Sequence, residues 1–196
     1  MNFFRLDKAD RRGFTYGKSK VYVFLWFLCQ DILFRLSPIP CYGFRRWLLR
    51  LFGAQIGQGV KVRPRARIHY PWRVTIGDYS SIGDDAWLYS IAPISIGNHT
   101  IISQKSFLCT AGHDYHDPYF RTTAAPITIG NSVWVAADVF IAPGVSIGDG
   151  AVIGARSSVF TDIPAGVIAW GNPCRPRKTR MEQNTCDSSF YKKTIP

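Results

Sequence analysis

An aliphatic residue returns at every sixth position between residue 56 and about residue 165, and this period limits the possible folds more than any other feature. A period of six matches neither an amphipathic helix, at about 3.6 residues, nor a plain strand, at about 2. It predicts a solenoid in which each hexad forms one short strand and a turn, and three hexads form one coil. The alternative is a β-sandwich, but sandwich strands alternate and turn roughly every 8–12 residues. The aliphatic positions are Ile56, Val62, Ile68, Ile76, Ile82, Leu88, Ile96, Ile102, Leu108, Ile129, Val135, Ile141, Ile147, Ile153 and Val159.

The spacing of the coils reveals one large interruption. Coils begin at residues 56, 76, 96, 129 and 147, so the steps are 20, 20, 33 and 18 residues. The long step leaves an inserted loop at residues 114–126, and long loops in compact domains tend to be functional. Stacked coils bury the aliphatic rows that a single coil would leave in water. We therefore expect an all-β chain with a parallel β-helix at residues 54–166.

Charge is distributed unevenly along the chain. Residues 1–73 contain 15 Lys and Arg against 3 Asp and Glu, whereas residues 74–165 contain 3 against 8. Without a recognition motif, the net charge of +11 is weak support for nucleic acid, and we expect no nucleic-acid partner. The five Cys lack any CxxC spacing, which favours a reduced, cytoplasmic location without structural zinc.

The segments on either side of the predicted solenoid are basic. Residues 1–20 read as a flexible arm and residues 167–196 as a C-terminal tail. Residues 21–53 contain two helical pieces, and the first is too short and too interrupted to span a membrane, which takes about 20 apolar residues. The second piece is amphipathic, with Trp and Leu on one side and Arg on the other. The pieces either cap the open first coil or rest on anionic lipid at the inner face of the membrane, and both roles are compatible, so residues 1–52 are a possible peripheral membrane contact.

The candidate catalytic residues lie where the coil regularity fails. His113 comes directly before the inserted loop and His116 lies within it. Histidine is the usual general base near neutral pH, although a surface histidine without a role is the plainer alternative. The run from His113 to Asp117 lacks the helical spacing or the paired Cys of strong metal sites, so we expect no metal.

Three stretches resemble the hexapeptide-repeat acyltransferases: the hexad ladder, SFLCTAGHDYHDP, and PITIGNSVWVAADVFIAPGVSIGDGAVIGARSSVFTDIPAGVIAWGNPCRPRK. Within that family the chain is similar to the maltose, galactoside and nodulation-factor sugar O-acetyltransferases. LLRLFGAQIG, VRPRARIHYPWRVTIGDYSSIGDDAWLY and ISQKSFLCT also resemble the colanic acid biosynthesis acetyltransferases. The resemblance covers about residues 20–180. It implies a left-handed parallel β-helix and a homotrimer with active sites between subunits.

The resemblance also implies a mechanism, the transfer of an acetyl group from acetyl-CoA to a sugar hydroxyl of an exopolysaccharide, its lipid-linked precursor or a surface glycan. His113 matches the catalytic base, and transfer is direct, without a covalent intermediate. The main-chain N–H of Ala137 matches the oxyanion donor. Asp85, or Asp84 if the register shifts by one residue, would contact the acceptor and orient the imidazole; both are otherwise ordinary turn residues. His116 is a further acceptor-binding candidate.

The cofactor candidates are carried over in the same way. Trp134, Ala155 and Phe160 would line the pantetheine arm, whereas Arg175 and Lys178 would meet the phosphates. Lys178 replaces an Arg, which keeps the charge but loses the bidentate geometry. Two alternatives stay open: N-acylation of an amino sugar or amino acid, and a non-enzymatic scaffold. A carbonic-anhydrase-like relative would need three zinc-binding His on adjacent coils, a spacing that His69, His99, His113 and His116 do not show.

Overall fold

The computed structural model describes residue 7 and residues 15–180; most of the predicted arm, and the end of the predicted tail from residue 181, lie outside that range. Two α-helices, α1 (Lys20–Cys29) and α2 (Tyr42–Leu51), are accompanied by a π-helical turn (Gln30–Phe34) and a 3-10 turn (Pro71–Arg73). The strands are β1 (Gln55–Ile56), β2 (Lys61–Val62), β3 (Arg67–Ile68), β4 (Val74–Ile76), β5 (Ser81–Ile82), β6 (Trp87–Tyr89), β7 (Ile94–Ile96), β8 (Ile101–Ile102), β9 (Phe107–Cys109), β10 (Ala111–His113), β11 (Thr122–Ala124), β12 (Ile127–Ile129), β13 (Trp134–Val135), β14 (Phe140–Ile141), β15 (Ser146–Ile147), β16 (Val152–Ile153), β17 (Ser158–Val159), β18 (Val167–Gly171) and β19 (Cys174–Thr179).

All strands except β10 and β11 form the three faces of a prism, which confirms the predicted parallel β-helix. Sheet A joins β1, β4, β7, β12 and β15; sheet B runs from β2 through β5, β8, β13, β16 and β18 to β19; sheet C joins β3, β6, β9, β14 and β17. The hexad residues point inward and stack in register, as Ile76, Ile96 and Ile129 do in sheet A. Each buried Ile or Val contributes about 1.5–3 kcal/mol, so the repeated row is the main source of stability.

The corner between sheets A and B is closed by a ladder of side-chain amides and carboxylates. The Asp78 N–H donates to Asn98 Oδ1 at 2.7 Å, the Asn98 N–H to Asn131 Oδ1 at 2.8 Å, and the Asn131 N–H to Asp149 Oδ1 at 2.7 Å. Glycine precedes each ladder residue because the coils approach too closely for a Cβ. A Cβ on Gly97 would lie 2.6 Å from the Gly130 carbonyl.

The N-terminal helices cover the open edge of the first coil. Trp26 Nε1 donates to the Ile68 carbonyl at 2.8 Å, and the Ile68 N–H donates to Gln30 Oε1 at 2.7 Å. Arg45 Nε and Arg46 Nη1 donate to carbonyls of the first coil at 2.6 and 2.9 Å. Backbone groups that lack a preceding coil therefore find side-chain partners, as buried polar groups require. The helices are therefore hydrogen-bonded to the first coil on their inner side, and their outer side stays exposed.

The solenoid extends beyond residue 166, where the sequence analysis ended it. Strand β18 pairs in parallel with β16, and β19 folds back antiparallel on β18, so the predicted tail begins as a β-hairpin. Ala169 and Cys174 are buried and close this end of the core. The boundary differs because Val159 is the last aliphatic residue of the hexad series, whereas the last coil still needs a strand to cover it.

Candidate active site

The inserted loop is a structured arm rather than an irregular excursion. Strand β10 pairs antiparallel with β11, and His113 lies opposite Thr122. The tip is held by two side-chain turns, in which the His116 N–H donates to Asp114 Oδ1 and the Tyr119 N–H donates to Asp117 Oδ1, both at 2.9 Å. His116 is therefore held at the exposed tip of the arm.

The arm holds the His113 ring in a defined orientation. Its Nδ1 lies 3.0 Å from the Phe120 carbonyl oxygen, and the two rings stack with centroids 4.3 Å apart. A carbonyl oxygen only accepts, so we assign the proton to Nδ1 of the neutral ring. Nε2 then carries the basic lone pair, which is the arrangement that a general base requires.

A cavity of about 290 Å³ adjoins His113 and is walled largely by aromatic rings. The ring centroid of His69 lies 4.3 Å from that of Tyr70 and 4.7 Å from that of Tyr89. Sequence reasoning missed these rings as a group. The hexad register offered the signal, because His69 and Tyr89 each follow an inward aliphatic of sheet C by one position. The aromatic lining comprises Tyr16, His69, Tyr70, Tyr89 and His113.

Burial keeps three groups of this cavity, His69, Tyr70 and Tyr89, uncharged near neutral pH. Burial, with a smaller contribution from the nearby Arg73 charge, lowers the pKa of His69 to about 4. Burial likewise raises the pKa of Tyr70 to about 12 and raises the pKa of Tyr89. These three groups therefore present ring faces and neutral hydrogen-bonding groups, a surface suited to a polyhydroxyl ligand.

The second group of candidates lies at the corner between sheets B and C. Asp84 and Asp85 lie one coil before Lys105, whose main-chain N–H donates to the Asp84 carbonyl at 3.0 Å. Asp84 is paired with Arg63 at 2.8 Å and Asp85 with Arg65 at 2.5 Å. Within this chain the carboxylates therefore interact with arginines of the first coil, and the ring of His113 is positioned by Phe120 instead.

Three cofactor candidates share that corner. Ala137 and Ala155 occupy successive coils, since the Arg156 N–H donates to the Ala137 carbonyl at 3.0 Å. Trp134 lies just before the corner on the outer side of sheet B, with Nε1 3.1 Å from Ser103 Oγ. A ring that the sequence analysis missed lies on the next coil: Trp170, which is 40% exposed and packs over Gly154.

The other three cofactor candidates lie elsewhere. Phe160 follows sheet C, with its ring centroid 5.7 Å from that of Phe140. Arg175 and Lys178 belong to β19, and Arg175 Nη1 is 3.4 Å from Thr161 Oγ1. The structure therefore gathers Trp134, Ala137 and Ala155 at one edge and does not bring all six together.

His113, the candidate base, and Ala137, the candidate oxyanion donor, lie at different corners of one chain. The arm with His113 leaves the corner between sheets C and A, whereas Ala137 belongs to the corner between B and C. Sheet C lies between these two corners. One side of a coil is a hexad, and six fully extended residues span up to about 20 Å. In the described part of the chain, no group of three or more His, Cys, Asp or Glu is arranged to hold a metal ion.

Comparison with known proteins places this architecture in a family. Residues 126–161 match the sequence profile described as Bacterial transferase hexapeptide (six repeats). The chain is 50% identical over 171 residues to the putative colanic acid biosynthesis acetyltransferase WcaF of Escherichia coli (strain K12), covering 87% of this chain and 93% of that one.

Two solved structures share the fold and contain the cofactor. A galactoside acetyltransferase in complex with coenzyme A superposes with a TM-score of 0.76 at 30% identity, covering 82% of this chain and 81% of that one. A hexapeptide-repeat acetyltransferase of Vibrio cholerae O1 biovar eltor, complexed with acetyl coenzyme A, gives 0.76 at 26%, covering 82% and 87%. With half of the residues shared over nearly the whole of a named relative, this chain belongs to the hexapeptide-repeat acetyltransferases.

Proposed function

We propose that the protein transfers an acetyl group from acetyl-CoA to a hydroxyl of a sugar in exopolysaccharide biosynthesis. The observation that carries the proposal is the His113 ring, which the Phe120 carbonyl orients beside an aromatic cavity. Relatives support the donor and the acceptor class, because one is a colanic acid acetyltransferase by name and others bind acetyl-CoA or CoA.

Side-chain and main-chain groups of the protein supply each step. A sugar hydroxyl in the cavity loses its proton to Nε2 of His113 while its oxygen attacks the thioester carbonyl. The resulting tetrahedral oxyanion needs a donor that is already in place, and the main-chain N–H of Ala137 has no partner among the described residues. Collapse of the intermediate breaks the C–S bond, and the departing thiolate takes the proton from His113. The products are an acetyl ester and CoA, with no covalent enzyme intermediate.

The reaction needs a second copy of the chain, because one chain holds the base and the oxyanion donor at separate corners. A neighbour that sets its arm against the corner of Ala137 would complete the site, and three copies related by rotation close the ring. We therefore propose a homotrimer in which His113 of one subunit meets Asp85 and Ala137 of the next.

A column of partly exposed rings on the outer side of sheet C supports that assembly. Trp87, Phe107, Phe140 and Phe160 lie in successive coils, with centroids 4.9, 5.8 and 5.7 Å apart. Aromatic surfaces of this kind are enriched at interfaces between subunits. We further propose a cytoplasmic location with the acceptor presented at the inner membrane face.

Replacement of His113 tests the chemistry. We expect His113→Ala to lower kcat by about 10²–10⁴-fold and to leave CoA affinity within about twofold, because the base acts only in the transition state. Thiol release from acetyl-CoA is measured with chemically deacetylated host exopolysaccharide as acceptor. His99→Asn is the matched control, since His99 lies at the remote corner between sheets A and B and Asn tolerates its positive φ. Normal turnover by His113→Ala would remove this residue from the role of base.

Mixed oligomers test the shared site. Ala155→Trp places a large ring on the exposed corner beside Ala137 and should also abolish activity. When this variant is co-expressed with His113→Ala, about one quarter of the sites between subunits recover both intact halves. A site contained in one chain would recover no activity on mixing.

A further inference from the structure

The outer side of the N-terminal cap is unusually apolar for a surface exposed to water. We define the outer cap face by six exposed residues, and Leu36 is the most exposed of them at 76%. These side chains take no part in the hydrogen bonds that cap the first coil. The outer cap face consists of Phe24, Leu25, Leu28, Ile32, Leu36 and Trp47.

Helix α1 is apolar on every side, although a helix that covers the solenoid needs only one apolar side. Val23 and Trp26 are buried on its inner side, and Phe34 is buried in the turn that follows. Phe24 and Leu28 lie on the other side, 65% and 45% exposed. A helix that is apolar all round is normally buried on all sides or in contact with lipid. The cap therefore has a second face that needs a partner.

The charges beside this face identify the partner. Lys18 and Lys20 lie at the start of α1, and Arg35 directly follows the π-helical turn; all three are exposed. Asp31 is the single acidic residue between residues 15 and 53. Apolar side chains bordered by Lys and Arg are the combination that binds anionic lipid headgroups, with the rings and aliphatics entering the acyl boundary.

The length of the helices favours contact with the surface of the bilayer. Within residues 15–180, none of the helices is long and apolar enough to cross a membrane. On α2, the exposed ring of Trp47 stacks with that of Phe44 with centroids 6.0 Å apart, and aromatic rings favour the headgroup level.

We propose that the outer cap face docks on a bilayer surface that carries anionic headgroups. The inner side of the same helix reaches the aromatic cavity, because the ring of Phe27 lies 5.2 Å from that of His69. Docking therefore places the cavity about one helix diameter, roughly 10 Å, from the lipid. On the proposed function, this position suits an acceptor sugar carried on a membrane lipid, which names the acceptor as a lipid-linked saccharide.

Flotation of the full chain with vesicles tests the docking. We expect at least tenfold more protein to float with phosphatidylcholine:phosphatidylglycerol vesicles (7:3) than with phosphatidylcholine alone. The triple variant Phe24→Gln, Leu28→Gln and Leu36→Gln should lose at least tenfold of that binding. Tyr79→Asn is the matched control; it removes an exposed ring that is not part of the outer cap face and should bind within twofold of the parent.

Three results would overturn the proposal. They are failure of the parent protein to float with the anionic vesicles, unchanged flotation of the triple variant, and a triple variant whose assembly is smaller by light scattering. The third would make the face an interface between copies. Acetyl transfer to soluble deacetylated polysaccharide should be unchanged in the triple variant, so a failed flotation leaves the proposed chemistry intact.

Discussion

Arg45 is the residue through which the cap is expected to hold the solenoid. Its side chain is fully buried, and Nε donates to the Val62 carbonyl of the first coil. Its other nitrogens donate to Ser37 Oγ, to the Pro38 carbonyl and to the Ile39 carbonyl at 2.7, 2.9 and 2.5 Å. Burial lowers the pKa of its guanidinium, which records the cost of keeping this charge away from water. One side chain thus joins the loop before α2 to the edge of sheet B.

The substitution Arg45→Met keeps much of the volume and removes all four hydrogen bonds. Each buried acceptor left without a partner costs about 1–3 kcal/mol. Part of that loss is offset because a charge no longer has to be desolvated. We expect a net loss of about 3 kcal/mol in the free energy of unfolding, which lowers Tm by about 6–12 °C for a chain of this size.

Urea and thermal unfolding followed by circular dichroism measure the change. The matched control is Arg35→Met, the same substitution at an exposed position of the cap, which should stay within about 0.5 kcal/mol of the parent. A loss below about 1 kcal/mol for Arg45→Met would show that water or neighbouring groups replace these hydrogen bonds, and the reasoning about the cap would be refuted.

Two further predictions concern the coil stacking and the cavity. Gly97→Ala should cost about 3 kcal/mol, because its Cβ would lie 2.6 Å from the Gly130 carbonyl. Gly166→Ala, with a φ of +67° and no atom within 4 Å, should cost only about 1 kcal/mol of backbone strain; equal losses in urea unfolding would contradict the steric argument. Because the His69 pKa is about 4 in the folded chain and 6.5 ordinarily, the unfolded state takes up the proton first as pH falls. The free energy of unfolding should therefore decline between pH 6.5 and 4, by up to about 3 kcal/mol. His69→Gln should remove that part of the pH dependence. Identical pH profiles of the parent and of His69→Gln would refute the assignment to His69.

The sequence by itself determined the solenoid. An inward aliphatic must recur in every hexad because each coil repeats the environment of the previous one, so the strands and the interruption before residue 127 were predictable. The family resemblance supplied His113 and the acetyl-CoA chemistry, and the comparisons confirmed the family. The role of His113 as the base stays a prediction.

Only the tertiary structure decided how the positions outside the period are used. No local pattern distinguishes Arg45, which is fully buried, from Arg50, which also donates to a carbonyl of the first coil but stays exposed. The pairing of Asp85 with Arg65 joins residues one coil apart, and the bond from His113 to Phe120 depends on the arm folding back on itself. Periodicity encodes an environment that repeats, whereas each of these contacts occurs once and depends on segments that meet only in the folded chain.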